Sequence, residues 1–295
     1  MKKYLKVAVK VILTTAALYV VFLKIDLQST LKVFSSINPF WLFLALIAFN
    51  LSKLISTFRF ISLYKQIGVL FQRKVGIKLT YIGMFYNLFL PGGIGGDGYK
   101  IFLIKKHFKN EKLKKIITAA LLDRISGLIA LVFLCLPILT QTSTYYLFSD
   151  PRINFTFFVI IVLYYPIAIL VNRQIFKSFK KAFPITDLQS LGVQIGQLLC
   201  AFLILKSLGV NNFHFDYLEL FLISSIAAVL PLTIGGVGIR ELVFVYGYKY
   251  LVVDKNLAIA FTLTFFVITV LSSLAGVFLS VDEELAATGQ KQADK

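Results

Sequence analysis

Apolar residues run along this chain in long blocks. Eight of them, at 7–23, 40–64, 79–104, 116–140, 153–171, 188–208, 217–253 and 257–280, are separated by short polar stretches. About 20 helical residues cross the roughly 30 Å hydrocarbon layer of a membrane, and most of the blocks approach or exceed that length. The pattern predicts an all-α polytopic membrane protein. Two blocks are broken from within. The stretch "FLPGGIGGDGYKIFL" (89–103) interrupts the third, and "VLPLTIGGVGIRELV" (229–243) interrupts the seventh. Helix is expected on either side of each break, over 79–90 and 217–231 on the N-terminal sides.

Charge decides how the broken blocks are counted. If every block crosses once with the N-terminus inside, the inner loops hold 10 Lys/Arg and the outer loops 14, against the positive-inside rule. If each broken block enters and leaves on one side, loops 1–6, 65–78, 105–115, 172–187 and the tail from 281 share the cytoplasmic face. They hold 19 Lys/Arg, against 5 in loops 24–39, 141–152, 209–216 and 246–256. The expectation is therefore six full transmembrane helices plus two oppositely oriented re-entrant broken-helix hairpins. Residues 1–281 form one membrane domain and 282–295 a short cytoplasmic tail. Composition agrees, with 58% hydrophobic residues and a mean hydropathy of +0.82. The net charge of +17 sits mostly between the apolar blocks, which points to anionic lipid at the cytoplasmic face and away from nucleic acid. "MKKYLK" before Val7–Leu23 resembles a signal peptide, but the apolar stretch is long and no A-x-A site follows, so it reads as an anchor.

The two breaks resemble each other. An offset of 140 aligns Leu90, Pro91, Ile94, Gly95, Gly96 and Gly98 with Leu230, Pro231, Ile234, Gly235, Gly236 and Gly238, and Lys100 with Arg240. Related elements of opposite orientation are the architecture of inverted-repeat transporters. Irregular backbone at membrane depth is tolerated only against protein or a water-filled cavity. Glycine allows close approach to the backbone, and the helix restarting after a break points free N–H groups at the gap, where an anion is favoured. The candidate binding residues are Gly92, Gly93, Gly95, Gly96, Asp97 and Lys100 in the first break, and Gly235, Gly236, Gly238, Arg240 and Glu241 in the second. Lys53 in the second block and Asp123 and Arg124 in the fourth join them, because charge facing lipid is costly. Asp97 or Asp123 is expected to pair with Arg124 or Lys100. The competing explanation is that the glycines only permit tight hairpins and close helix packing. Arg59 is read as snorkelling to the interface, Lys206 as an interface anchor, and Glu219 as a dipole-favoured acid at the start of the 217–231 half-helix.

Other motifs carry less. Gly93, Gly95 and Gly98 satisfy G-x-G-x-x-G, but no strand precedes them, so a nucleotide fold is not indicated. "GGDG" is similar to the motif of intramembrane aspartyl proteases, which need a glycine where Ile94 stands and a second catalytic aspartate. His107 and His214 are isolated, Cys135 and Cys200 lie in apolar blocks, and no metal, cofactor or disulfide is expected.

"LPGGIGGDGYKIFLIKK", "ALLDRISGLIAL" and "GGVGIRELVF", in that order, resemble the lysylphosphatidylglycerol synthase membrane-domain family of flippase-like proteins. Its P-G-G-x-G-G-D, acid-Arg-x-x-G and G-G-x-G-x-R-E motifs are met by Pro91–Asp97, Asp123–Gly127 and Gly235–Glu241. The resemblance implies a bundle of membrane helices that, in members carrying a cytoplasmic synthase domain, moves an aminoacylated phospholipid to the outer leaflet. This chain ends fifteen residues after its last block, so the stand-alone form without the synthase domain is expected. "PLT" at 231–233 departs from the further Pro-Gly pair of many relatives.

The reading is a lipid translocase, not an enzyme, that binds an anionic or lipid-phosphate headgroup in a mid-membrane cavity. It would lie in a bacterial or archaeal cytoplasmic membrane with both termini inside. One alternative is an accessory protein for a lipid or glycan synthesis enzyme. Another is an integral membrane lipid-phosphate transferase, for which the chain offers no dense carboxylate cluster. Partnering with a second copy or with an enzyme stays open.

Overall fold

In a computed structural model, residues 37–89, 95–145, 150–229 and 239–293 are described. Ten α-helices make up their regular structure, with two short 3-10 turns and no strand among the described residues. In chain order they are α1 (Pro39–Lys65), α2 (Arg73–Phe89), α3 (Gly95–His107), α4 (Leu113–Leu139) and α5 (Pro151–Ile175). They continue with α6 (Phe183–Ser207), α7 (His214–Val229), α8 (Ile239–Gly247), α9 (Lys255–Leu274) and α10 (Asp282–Ala293). Five are long and apolar enough to cross a membrane: α1, α4, α5, α6, and α9 with the 3-10 turn after it. They match the blocks at 40–64, 116–140, 153–171, 188–208 and 257–280. The block at 7–23 lies outside the described residues, as do the two breaks at 90–94 and 230–238.

Local chemistry fixes the helix ends. Pro39 follows Asn38, whose Oδ1 accepts from Phe40 N at 3.0 Å. Pro151 follows Asp150 in the same way, and Asp254 caps α9 through the N–H groups of Asn256 and Leu257. Gly68 and Gly209, with φ of +88° and +73°, follow the ends of α1 and α6, where a side chain would be strained. The most extensive helix–helix contact is that of α1 with α6. Gly192 and Gly196 let them meet, since a Cβ on Gly196 would stand 2.9 Å from Ser52 Cβ.

The broken blocks fold as antiparallel helical pairs. Along α2 and α3, Asn87 meets Gly96, Tyr86 stacks on Tyr99 at 3.9 Å, and Gly83 meets Lys100. The contacts step backwards on one helix as they step forwards on the other. The second pair behaves likewise, with Ser225 against Arg240 and Leu220 against Gly247.

The described loops collect at two ends of the bundle. One apolar cluster gathers Tyr64, Ile67, Val75, Ile104, Phe108, Ile116, Phe179, Phe183 and Leu285. It joins the α1–α2, α3–α4 and α5–α6 connections to α10, so α2 begins and α3 ends at this end. At the other end Asn38 N donates to Ser207 O at 2.8 Å, and Asp216 accepts from Ser143 Oγ and from Val252 N. There α7 begins and α8 ends. Among the described residues, the loops are grouped as the charge count predicts.

Residues 282–293, expected as a tail, form helix α10 laid across the first hairpin. Asp282, Glu283 and Glu284 fill its first turn, where the helix dipole favours acids. Lys106 Nζ (2.7 Å) and His107 Nε2 (3.0 Å) meet Asp282, and Lys78 Nζ meets Glu284 at 2.6 Å. Lys106 and His107 hold the Asp282 carboxyl below the usual carboxylate range. This contribution is present above the ordinary carboxylate pKa and is lost as pH falls through the lowered one. These exposed pairs contribute little individually, and the fully buried Leu285 is the stronger anchor. Leu285→Asp is therefore expected to free α10, seen as faster hydrogen exchange over 282–290 and 103–108 with the bundle intact.

Candidate functional site

Charged side chains form a layer inside the bundle, and the structure sorts them into three groups. In the first, Asp97 on the opening turn of α3 accepts from Lys100 Nζ at 2.8 Å and from Arg124 Nε on α4 at 2.5 Å. One carboxylate thus serves two cations. Lys100 also lies over the Phe60 ring, 5.0 Å from its centroid, so the group reaches α1. At the α3 N-terminus Gly96 N donates to Asn87 Oδ1 on α2 at 2.8 Å, and Asp97 supplies the negative charge that the helix dipole favours. Gly96 itself is packing space, since a Cβ there would lie 1.8 Å from the Gly83 carbonyl oxygen. The glycine-packing explanation therefore accounts for Gly96. A Cβ on Gly98 would meet nothing within 4 Å.

In the second group Asp123 accepts from Arg59 Nε at 2.7 Å, and Arg59 Nη1 donates to Ser190 Oγ at 3.1 Å. Three long helices are tied together here. Arg59 is only 5% exposed, which corrects the snorkelling expectation: its guanidinium turns inward because Asp123 and Ser190 offer partners there. Gly127, one turn from Asp123, makes the room, since a Cβ would stand 3.3 Å from Arg59 Nη1. The acid-Arg-x-x-G motif thus has a physical reading. The acid grips Arg59, the glycine leaves space for it, and Arg124, about 100° further round the helix, faces Asp97.

In the third group Arg240, on the first turn of α8, donates to Ser225 Oγ at 2.9 Å. It stacks on Phe265 and Phe221, at 5.0 and 5.7 Å from their centroids. Lys53 lies over the Phe49 ring at 4.7 Å, and Phe49 meets Phe265 edge to face at 5.8 Å. Glu241 is buried on the same turn as Arg240. Gly92, Gly93, Gly235, Gly236 and Gly238 lie outside the described residues.

Glu219 does not begin its helix. The helix starts at His214, Asp216 takes the first-turn position, and Glu219 falls in the second turn, 1% exposed, accepting from Cys135 Sγ at 3.0 Å. Lys206 is half-buried over Phe202 near the end of α6. Both cysteines are free. Among the described residues no group of three or more His, Cys, Asp or Glu is placed to hold a metal ion. Arg59, Ser190 and Asn87 are the functional-site neighbours that sequence reasoning missed. Gly127, spaced one turn from Asp123, was the available signal for the first.

Five apolar helices long enough to cross a membrane, with large apolar side chains facing outward around an interior layer of charged side chains, define a multi-pass membrane protein. The chain belongs to the family described as the lysylphosphatidylglycerol synthase TM region, whose model matches residues 7–276. A UPF0104 membrane protein of the archaeon Pyrococcus horikoshii is 28% identical over 133 residues. That match covers 45% of this chain and 38% of the relative.

Proposed function

We propose that this protein is a flippase-like lipid translocase that binds a lipid phosphate between its two broken-helix hairpins. Six full spans and two re-entrant hairpins of opposite orientation would place the charged layer near mid-membrane, with both termini in the cytoplasm of a bacterium or archaeon. The observation that carries the reading is the arrangement of the hairpins. Each begins and ends at one end of the bundle, the two use opposite ends, and each delivers a cation, Lys100 or Arg240, to the interior. Elements that reach a shared interior from opposite sides suit alternating access to a polar headgroup. The family supports a membrane lipid as the ligand.

The test is mass spectrometry of the lipids that survive mild purification, comparing wild type with Arg124→Ala. Enrichment of one anionic or polyprenyl-phosphate lipid in wild type, reduced at least severalfold in the variant, is expected. Bulk membrane lipids alone in both samples would shift the assignment to an accessory protein for a synthesis enzyme.

A further inference from the structure

The three charged groups are not equivalent. Asp123 is taken by Arg59, and Asp97 is shared by Lys100 and Arg124. Lys53 and Arg240 stand apart. Among the described residues neither has a carboxylate within 4 Å, and both rest on aromatic faces. The sequence repeat gives the same asymmetry independently. The offset that aligns Lys100 with Arg240 aligns Asp97 with Val237, so the second break keeps the cation and lacks the acid that answers it in the first. Glu241 adjoins Arg240 on the same turn and its charge acts on Arg240, but the two make no direct ion pair within 4 Å.

The rings place the two cations on one platform. Lys53 covers Phe49, Phe49 packs edge to face on Phe265, and Arg240 covers Phe265 and Phe221. Phe265 and Phe221 are themselves packed at 4.9 Å, which fixes the platform across α1, α7 and α9. Ser225 Oγ accepts from Arg240, leaving its hydroxyl proton to donate. Two cations and a hydroxyl donor, with no described carboxylate in direct contact with either cation, are a recognition set for one tetrahedral oxyanion.

The same helices supply a place for a hydrocarbon chain. Leu42, Phe43, Leu46, Val267, Ile268 and Leu271 line an apolar groove of about 430 Å³ between α1 and α9. Leu46 and Ile268 are each one helical turn from Phe49 and Phe265, so groove and platform share one face.

We infer that a lipid phosphate seats between Lys53 and Arg240 on the Phe49–Phe265 platform, with its alkyl chain in the α1–α9 groove, while Asp97–Lys100–Arg124 and Arg59–Asp123 hold the helices in place. This rests on the lipid-binding reading and assigns the seat within it. At the first hairpin Asp97 is in direct contact with both cations, whereas no described carboxylate touches Lys53 or Arg240, and the anion goes to the latter pair.

The test is calorimetric binding to purified full-length protein in uncharged detergent. The probes are dioctanoyl phosphatidic acid, dioctanoylglycerol, which lacks the phosphate, and inorganic phosphate. Wild type is expected to bind the phosphatidic acid at least tenfold more tightly than either of the others. Arg240→Gln and Lys53→Gln are each expected to weaken it about tenfold or more, as loss of a charge-assisted hydrogen bond does. Lys206→Gln is expected to leave it unchanged. Ser225→Ala, a milder change for use if a charge variant misfolds, is expected to weaken binding severalfold. Greater loss in Arg124→Gln than in Arg240→Gln would move the seat to the first hairpin and overturn the assignment while the lipid-binding reading stood. Equal binding of phosphatidic acid and dioctanoylglycerol by wild type would overturn the lipid-phosphate reading itself. Tightest binding of inorganic phosphate would overturn the role of the groove.

Discussion

Asp123→Ala is expected to be among the most damaging single substitutions in this protein, lowering stability by about 3–5 kcal/mol. The reason is what it leaves behind. Arg59 is 5% exposed, inside the bundle, with its Nε on Asp123 and Nη1 on Ser190. Without Asp123 a buried guanidinium keeps one hydroxyl and no counter-charge, and it cannot reach water without disturbing the close α1–α6 contact. Removing both charges together, in Arg59→Met with Asp123→Leu, is expected to cost much less than Asp123→Ala alone, because desolvation is removed along with attraction. Thermal unfolding midpoints in detergent, with the two single variants closing a double-mutant cycle, check this. Similar losses in the single and double variants would show that packing at these positions outweighs the pair.

The second large effect is expected at Gly96. An added methyl would lie 1.8 Å from the Gly83 carbonyl oxygen, 2.6 Å from its carbonyl carbon and 2.9 Å from Asn87 Cγ. Two of these atoms are backbone of α2, so no rotamer change relieves the overlap and α2 must move away from α3. Overpacking of well-filled sites costs about 1–3 kcal/mol, and a backbone clash belongs at the upper end. Movement would also break the Gly96 N–Asn87 bond and displace Asp97 from Arg124. Gly98→Ala, two residues away with nothing near its Cβ, is the matched control and is expected to be close to neutral. The check is the unfolding midpoint together with hydrogen exchange over 82–88 and 95–101. Equal behaviour of the two alanines would mean that the hairpin adjusts freely at Gly96.

Five of the long helices and both broken blocks were legible because hydropathy and glycine act locally. A run of about 20 apolar residues has one stable solution in a bilayer, and a proline with clustered glycines cannot continue a helix through it. The grouping of loops was legible because lysine and arginine are unevenly distributed between them. The pairing of charges was not legible. Asp123 and Arg124 are neighbours in sequence but point about 100° apart on α4, so one reaches Arg59, 64 positions back, and the other reaches Asp97. Which of several buried acids meets which cation depends on helix rotation, and apolar periodicity is weak where every face is greasy. Helix α10 escaped notice for the opposite reason. It is polar overall, and only its three opening acids and the buried Leu285 mark it.

The two broken-helix arms share one further property. Within the bundle α3 carries one acid and one base, Asp97 and Lys100, and α8 carries one of each, Arg240 and Glu241. Each arm is electrically neutral over its part inside the bundle, while Lys105 and Lys106 sit at the far end of α3 beside the loops. An elementary charge crossing the whole membrane potential gains or loses about 2.3 kcal/mol per 100 mV. Displacing either arm along the membrane normal therefore does almost no electrical work on the protein. A bound phosphate changes that balance by a full charge. For a translocase of the kind proposed, the resting voltage would leave the empty protein nearly indifferent between its two openings and would act on the loaded one, so that the cargo, not the helices, would sense the field.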